Sequence, residues 1–471
     1  MLKSLTEPYV VGVTSRILGQ LISFVAVAVA SRYLALEVFG TYALAWAAAV
    51  IGNTFVFTGF YQALLRSKDF ERDRDTIYWL NTGVGALSTL AIAFFGLVTG
   101  GFETAQGTAL LAIAPIPLLI TPSAWWEAQL VREQRVRSAS LYVLVAETCA
   151  LVATIALLWQ GYELAALIAP RYVSIAVGGL LTGGLVRRLP RLGFRRDTTT
   201  EAATTALPLW GTTSVHLFQN YGTDIILGAF ANATMVGAYR GGARISITAS
   251  DLVMQPLLIL TWSRFTRIEK EDDGIDALKV AWIENMAIAA AILWPLSATV
   301  ALLAEPLVVT VLDETWLPAA GVVVILTASR AILFLSGLLE PTLMTSGHGR
   351  AQFYIRVFGA GSLLALLMIL AKHGAEPAAW AHLISSVMVA SVGFGMMVRV
   401  LGLSLADILR TFAPALVITG ATAAVILSSA TPFAALGEGL GLIACLATIG
   451  IAWVLLMVVF LRRGALVLPK P

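Results

Sequence analysis

Apolar runs of about 20 residues recur along the whole chain, the length an α-helix needs to cross about 30 Å of hydrocarbon. Fourteen are read: 9–31, 40–65, 76–100, 107–130, 139–160, 163–186, 206–230, 235–263, 280–304, 319–345, 354–371, 378–400, 411–430 and 438–461. The pattern predicts an all-α polytopic membrane protein. Composition agrees: 58% of residues are hydrophobic and 13% are charged, against about 25% charged in ordinary soluble domains.

The basic residues test that reading independently. With the N-terminus cytoplasmic, the inner segments are 1–8, 66–75, 131–138, 187–205, 264–279, 346–356, 399–410 and 462–471, and they hold 24 of the 31 lysines and arginines. Only Arg32 and Lys372 lie at outer ends, while Arg16, Arg171, Arg240, Arg244 and Arg330 fall inside spans. Such a bias is what the positive-inside rule demands, and it places both termini in the cytoplasm. A cleaved signal is the rival reading of the start, because "AVAVAS" follows an apolar run. Arg16, the mixed-charge leader and a later echo of this region argue against it. Cys149 and Cys445 lie in apolar spans, so no disulfide framework is implied.

That echo pairs residues 34–45, "LALEVFGTYALA", with 231–242, "ANATMVGAYRGG". Gly40 aligns with Gly237 and Tyr42 with Tyr239, each 197 residues apart. The expectation is two parallel six-helix lobes with an inter-lobe cavity, the arrangement of transporters built from parallel repeats. The N-lobe covers 1–186, a basic cytoplasmic linker 187–205, the C-lobe 206–400, and two extra helices with a cytoplasmic tail 401–471. The linker sequence "RRLPRLGFRRDTTTEAATT" reads as a positive-inside anchor, and its cluster would also attract anionic lipid.

The charges inside spans are the candidate chemistry, because each costs at least a few kcal/mol at bilayer depth without a partner or a wet cavity. Within 236–253, "VGAYRGGARISITASDLV", Arg240, Arg244 and Asp251 share one helix face. Gln255 continues that stripe. Arg16 and Gln20 stand one turn apart in the first span. In "HLFQNYGTD", His216, Gln219, Asn220 and Asp224 form another stripe. Asp224 and Arg240 or Arg244 would reach similar depth, so a structural pair is one reading and ligand contact the other. Arg171 follows a proline that would kink its helix and has Glu147 as a local partner. Asp224, Asp251, Glu147 and His216 are the intramembrane groups open to ion coupling or structural pairing. Glu127, Glu284 and Glu340 sit toward cytoplasmic ends, where solvated roles are expected. Trp125, Trp126, Trp210 and Trp316 fall near interfaces and read as anchors.

The N-terminal order from "SRILGQLISF" to "FYQALLRSKD" resembles the oligosaccharide flippases of polysaccharide biosynthesis. Arg32, Leu34, Phe39, Gly40 and Tyr42 occupy their pattern between helices 1 and 2, and "VLDETWLPAAG" (311–321) resembles their link before helix 10. The six, six and two helix count fits as well. The resemblance implies the multidrug/oligosaccharidyl-lipid/polysaccharide exporter superfamily and a cargo of undecaprenyl-pyrophosphate-linked oligosaccharide. That cargo would cross the bacterial inner membrane by alternating access, in a monomer serving glycosyltransferases and a polysaccharide polymerase. Arg16, Gln20, Arg240, Arg244, Arg330, His216 and Asn220 would then line the cavity, since arginine's planar fork grips phosphate or carboxylate oxygens.

Other classes are disfavoured. No outer loop exceeds about a dozen residues, and no P-loop, metal or Gly-rich phosphate motif appears, so no enzyme, cofactor, metal or nucleic-acid partner is expected. A drug antiporter of the same superfamily would favour buried carboxylates over Arg16, and a lipid II-type flippase remains a third reading.

Topology is tested by single cysteines. Positions near 102 and 314 should label from outside, and positions near 70 and 194 from inside. Labelling of 194 from the outer face would sink the topology.

Overall fold

The computed structural model describes residues 8–230, 232–271, 274–434 and 438–467. Within its helices, the side chains of 8–17, 20, 136, 139, 216, 218–220, 259, 263, 269–271, 429–434 and 438–439 fall outside that description. The described residues are helical, with no strand among them. In chain order the helices are α1 (Pro8–Ser31), α2 (Leu36–Phe57), α3 (Phe60–Arg66), α4 (Phe70–Val98), α5 (Ala105–Ile113), α6 (Ile116–Leu119), α7 (Thr121–Arg132), α8 (Val136–Trp159), α9 (Ala165–Val186) and α10 (Arg196–Phe230). Then follow α11 (Ala233–Glu271), α12 (Gly274–Leu302), α13 (Ala304–Val311), α14 (Ala319–Leu333), α15 (Leu339–Thr345), α16 (Gly349–Leu370), α17 (Ala375–Leu401), α18 (Leu405–Ala434) and α19 (Glu438–Arg462).

Among the described residues, 12 helical stretches are long and apolar enough to cross a membrane. They match twelve of the expected runs, and α1 and α10 stand where the first and seventh were placed. Three of the 12 are broken within the span. The first, Leu36–Arg66, breaks at Gly59 (φ 48), whose missing Cβ leaves room for the Trp210 ring. The second, Ala105–Arg132, is broken where Pro115 and Pro117 remove backbone donors. The third, Ala319–Thr345, passes through a tight turn at Phe334–Ser336 and Gly337. By contrast α10 and α11 run for 35 and 39 residues, about 52 and 58 Å at 1.5 Å per residue. Both are longer than the hydrocarbon is thick.

Contacts divide the chain into two compact units, Met1–Gly237 and Ala238–Pro471. The boundary falls inside α11, so α10 goes with the first unit, against α2, α3 and α4. The sequence reading instead starts a second lobe at residue 206. In the first unit a core of Val56, Phe60, Tyr61, Leu64, Ile77 and Trp125 forms on α2, α3, α4 and α7. The second unit centres on α12, with Trp282 and Met286 fully buried and the Trp294 ring stacked 5.3 Å from Phe412 of α18.

The expected linker is more ordered than a tether. Residues 187–195 are irregular and 196–205 already belong to α10. Indole N–H groups hold the backbone of the irregular part: Trp126 Nε1 donates to Arg188 O at 2.8 Å and Trp79 Nε1 to Arg191 O at 3.0 Å. Thr76 donates to Gly193 O at 3.4 Å and accepts from Arg195 N at 3.2 Å. Arg188 pairs with Glu71 at 2.8 Å, Arg72 pairs with Asp197, and Thr198 donates to Asp73 at 2.8 Å.

The G-x-Y echo becomes a contact. A Cβ on Gly40 would lie 1.6 Å from Ala233 O, and one on Gly237 would lie 2.2 Å from Leu36 O. Leu36 and Ala233 are themselves related by the same 197-residue offset, so each motif packs on the start of the other's helix. Only glycine allows backbones this close.

Forcing atoms into a packed contact costs about 1–3 kcal/mol, and here the obstacle is backbone. Gly40→Ala and Gly237→Ala should therefore each lower the thermal denaturation midpoint of the purified protein. Gly83→Ala, which meets nothing within 4 Å, serves as the control. If both variants melt with the parent, the close approach does not hold.

Candidate functional site

In the second unit, Arg330 and Arg244 both lie within reach of Asp251. α11 carries Arg240, Arg244 and Asp251 at helical spacing, so one face points them the same way. α14 supplies Arg330 just before the break in its span. Arg330 Nη1 lies 3.9 Å from Asp251 Oδ1, with the two side chains 33% and 25% exposed. Arg244 also lies within electrostatic reach of Asp251. At that distance the Arg330–Asp251 pair is loose, and guanidinium N–H groups remain able to donate elsewhere. Arg330 and Arg244 thus both bear on a single carboxylate, and guanidinium chemistry suits an anion.

Hydroxyl contacts knit the helices that carry these charges. Ser246 of α11 donates to Val323 O at 3.2 Å, and Thr327 of α14 donates to Ser246 at 3.0 Å. Ser329 and Ser386 join α14 to α17 at 2.7 Å. Small hydroxyl residues let spanning helices approach closely while keeping their polar groups satisfied. α17 also carries His382, which lies within electrostatic reach of Arg330, its ring 6.1 Å from Tyr239. His382 was missed in the sequence. The available signal was a histidine one turn before Ser385 and Ser386 in an otherwise apolar span.

In the first unit, Asp224 is buried on α10. Arg16, Gln20, His216 and Asn220 have side chains outside the described residues. Glu147 takes a structural partner: Arg171 Nη1 lies 3.7 Å from Glu147 Oε2, and Ser174 donates to Oε1 at 3.1 Å. Arg171 also donates to Tyr42 OH at 2.9 Å and sits 4.7 Å over the Trp46 ring. The cation is thus held by an acid, a hydroxyl and a π-face, joining α2, α8 and α9. Tyr42 and Trp46 were not foreseen as its partners.

Several expectations need correction. Glu127, Glu284 and Glu340 do not rely on solvent alone. Tyr61 donates to Glu127 at 3.3 Å and Tyr142 also donates to it, Arg264 pairs with Glu284 at 2.6 Å, and Arg356 with Glu340 at 2.6 Å. A carboxylate withdrawn from water needs donors, and neighbouring helices provide them. Trp125 and Trp316 are buried rather than interfacial. Trp125 donates to Arg74 O at 3.0 Å, and Trp316 fills the space left by Gly241. Trp210 packs into the helix break and donates to Phe55 O at 3.1 Å. Among the described residues, no group of three or more His, Cys, Asp or Glu could hold a metal ion.

Comparison with known proteins places this arrangement. The succinoglycan biosynthesis transport protein ExoT of Rhizobium meliloti (strain 1021) is 21% identical over 344 residues, 71% of this chain and 67% of that protein. The lipid II flippase MurJ, in an inward closed conformation, has the same fold with a TM-score of 0.74 at 11% identity, covering 97% of this chain and 99% of that one. An inward-facing multidrug resistance MATE family transporter of the MOP superfamily gives 0.65 at 14% identity, over 81% and 95%. These two likenesses establish the fold. The family described as polysaccharide biosynthesis protein matches residues 29–321. With that match running over more than half its length, the chain belongs to the polysaccharide biosynthesis protein family.

Proposed function

We propose that this protein is a flippase that carries an undecaprenyl-pyrophosphate-linked oligosaccharide from the cytoplasmic to the periplasmic face of the bacterial inner membrane by alternating access. The observation that carries the reading is the loose Arg330–Asp251 pair at the break in a spanning helix, with Arg244 in reach of the same carboxylate. A pyrophosphate entering low dielectric loses its water and needs fixed donors in its place. Arginine provides two parallel N–H groups for each such anion. Family membership and the succinoglycan relative support a polysaccharide precursor as the cargo class. Glycosyltransferases would build the cargo on the inner face and a polymerase would consume it outside. The protein would act as a monomer of fourteen spans with both termini cytoplasmic.

In this reading Asp251 holds Arg330 in place between cargoes and is displaced when a phosphate oxygen arrives. The interruptions support it too. The fourth and tenth expected spans, which correspond in a six-plus-six repeat, are both broken, and interrupted helices at matching positions mark transporter binding sites. Arg330 stands beside one break. Arg16, Gln20, Arg240, His216 and Asn220 complete the proposed binding set, and Asp224 is its candidate for ion coupling or pairing.

Export is the direct test. Arg16→Ala, Arg244→Ala and Arg330→Ala, expressed at equal membrane levels in a strain lacking the transporter, should lose polysaccharide export and retain lipid-linked precursor on the inner face. Hydrogen bonds to charged groups are worth about 1.5–3 kcal/mol, so each loss should weaken cargo binding about ten- to a hundredfold. Arg463→Ala, at an exposed tail position, should export normally. Normal export by all three site variants would remove the assignment.

The pair has its own signature. Asp251→Asn removes the competing carboxylate, so binding of a pyrophosphate-headed lipid to purified protein should tighten while export slows through delayed release. Arg330→Gln should weaken binding. Weaker binding by both variants would mean that Asp251 is part of the binding surface rather than a placeholder.

A further inference from the structure

Residues 187–196 contain a second arrangement that the transport reading does not use. The backbone of this segment is turned toward the protein, its carbonyls at Arg188, Arg191 and Gly193 accepting from Trp126, Trp79 and Thr76. With the backbone fixed that way, the side chains are presented outward. Leu189, Leu192 and Phe194 are 79%, 88% and 67% exposed, although nothing polar about them favours water. Around them stand Arg187, Arg191, Arg195 and Arg196, all exposed. Arg188 is exposed too, but Glu71 engages it at 2.8 Å. Pro190 adds stiffness by fixing its own φ.

The position of the segment selects its partner. It begins one residue after α9 ends at Val186, the close of a candidate span, and runs into α10, whose expected span starts only at 206, so its first end is tied to the membrane boundary. Trp79 and Trp126, the indoles that hold it, belong to residue types enriched at that boundary. Large apolar side chains alternating with guanidiniums match what enters the headgroup region: rings and aliphatic chains reach toward the acyl layer while arginines meet phosphates. A soluble acidic protein would satisfy the arginines and leave the three apolar side chains without a counterpart.

We propose that residues 187–196 form a membrane-docking strap, in which Arg187, Arg191, Arg195 and Arg196 bind the phosphate headgroups of anionic phospholipids while Leu189, Leu192 and Phe194 enter the headgroup–acyl boundary. Its placement on the anionic inner leaflet rests on the orientation in the proposed function. Its recognition of lipid does not depend on any cargo. Because the strap is fixed to α4 and α7, lipid binding there would hold the inner ends of those helices against the membrane.

The test uses the full chain with both native cysteines replaced, Cys149→Ser and Cys445→Ser, and with Leu192→Cys labelled by an environment-sensitive fluorophore. The protein is reconstituted into cargo-free nanodiscs of phosphatidylcholine alone or mixed with phosphatidylglycerol. Both faces are accessible there, so a wrong orientation would not alter the readout, and a failed export test would leave it standing. Phosphatidylglycerol should shift the emission to the blue and bring the probe within reach of a lipid-borne quencher, and high salt should weaken both effects. Each basic residue near an anionic leaflet is worth roughly a fivefold change in partitioning. Arg187→Gln, Arg191→Gln, Arg195→Gln and Arg196→Gln together should therefore abolish the phosphatidylglycerol dependence. Identical emission in the two lipids would overturn the proposal, whether the strap faces water or awaits a soluble partner. So would a shift undiminished in the fourfold variant, or one reversed by inorganic phosphate at constant ionic strength, which would indicate a site for the free ion.

Discussion

Withdrawing a charge from water is the constraint around which this protein is arranged, because hydrocarbon offers a carboxylate or guanidinium nothing in return. The chain meets that cost in two ways. Arg171 is enclosed by Glu147, Tyr42 and the Trp46 ring, and Glu127 accepts from two tyrosines. These groups tie helices together. Arg330 and Asp251 face each other across 3.9 Å and remain partly exposed, so their mutual attraction is incomplete. Tight satisfaction builds the scaffold, and the looser pair is the one to which the proposed cargo binding is assigned.

The helix interruptions serve the same division. A continuous helix satisfies all its interior backbone groups and has none to offer, whereas a broken one must find partners where it parts. Trp210 fills the break at Gly59 with an indole that donates to Phe55 O. That break is closed by packing. The turn at Phe334–Ser336 lies beside Arg330 on a helix already joined to its neighbours through hydroxyls. Rigid seams on either side allow a charged side chain at the turn to be held in position without being neutralised.

The fold was legible in the chain because hydropathy and the lysine–arginine bias report on the bilayer, which acts on each span separately. The Arg240–Arg244–Asp251 face was legible for a similar reason, since helical periodicity alone aligns it. Contacts between distant segments were not. Tyr42 and Arg171 are 129 positions apart, and no local pattern announces their hydrogen bond. Tryptophans near span ends misled, because the same residue suits a membrane interface and a buried donor position. Trp125 took the second role through an available carbonyl, and Trp316 is buried in the space beside Gly241. The order in 187–195 was invisible because backbone carbonyls, which carry no sequence signature, accept its bonds. The division at Gly237, inside one helix, could not be read from composition.

The reciprocal packing of the two G-x-Y motifs has an evolutionary consequence. Contacts in which residue i meets j while the counterpart of i meets the counterpart of j define the two-fold interface of a homodimer. Gly40 with Ala233 and Gly237 with Leu36 satisfy that relation within a single polypeptide. Reciprocal packing ties the two glycines together: a bulkier residue accepted at either one displaces the helix start opposite it. Among homologues, the two motifs should drift as one unit while the sequence around them diverges freely.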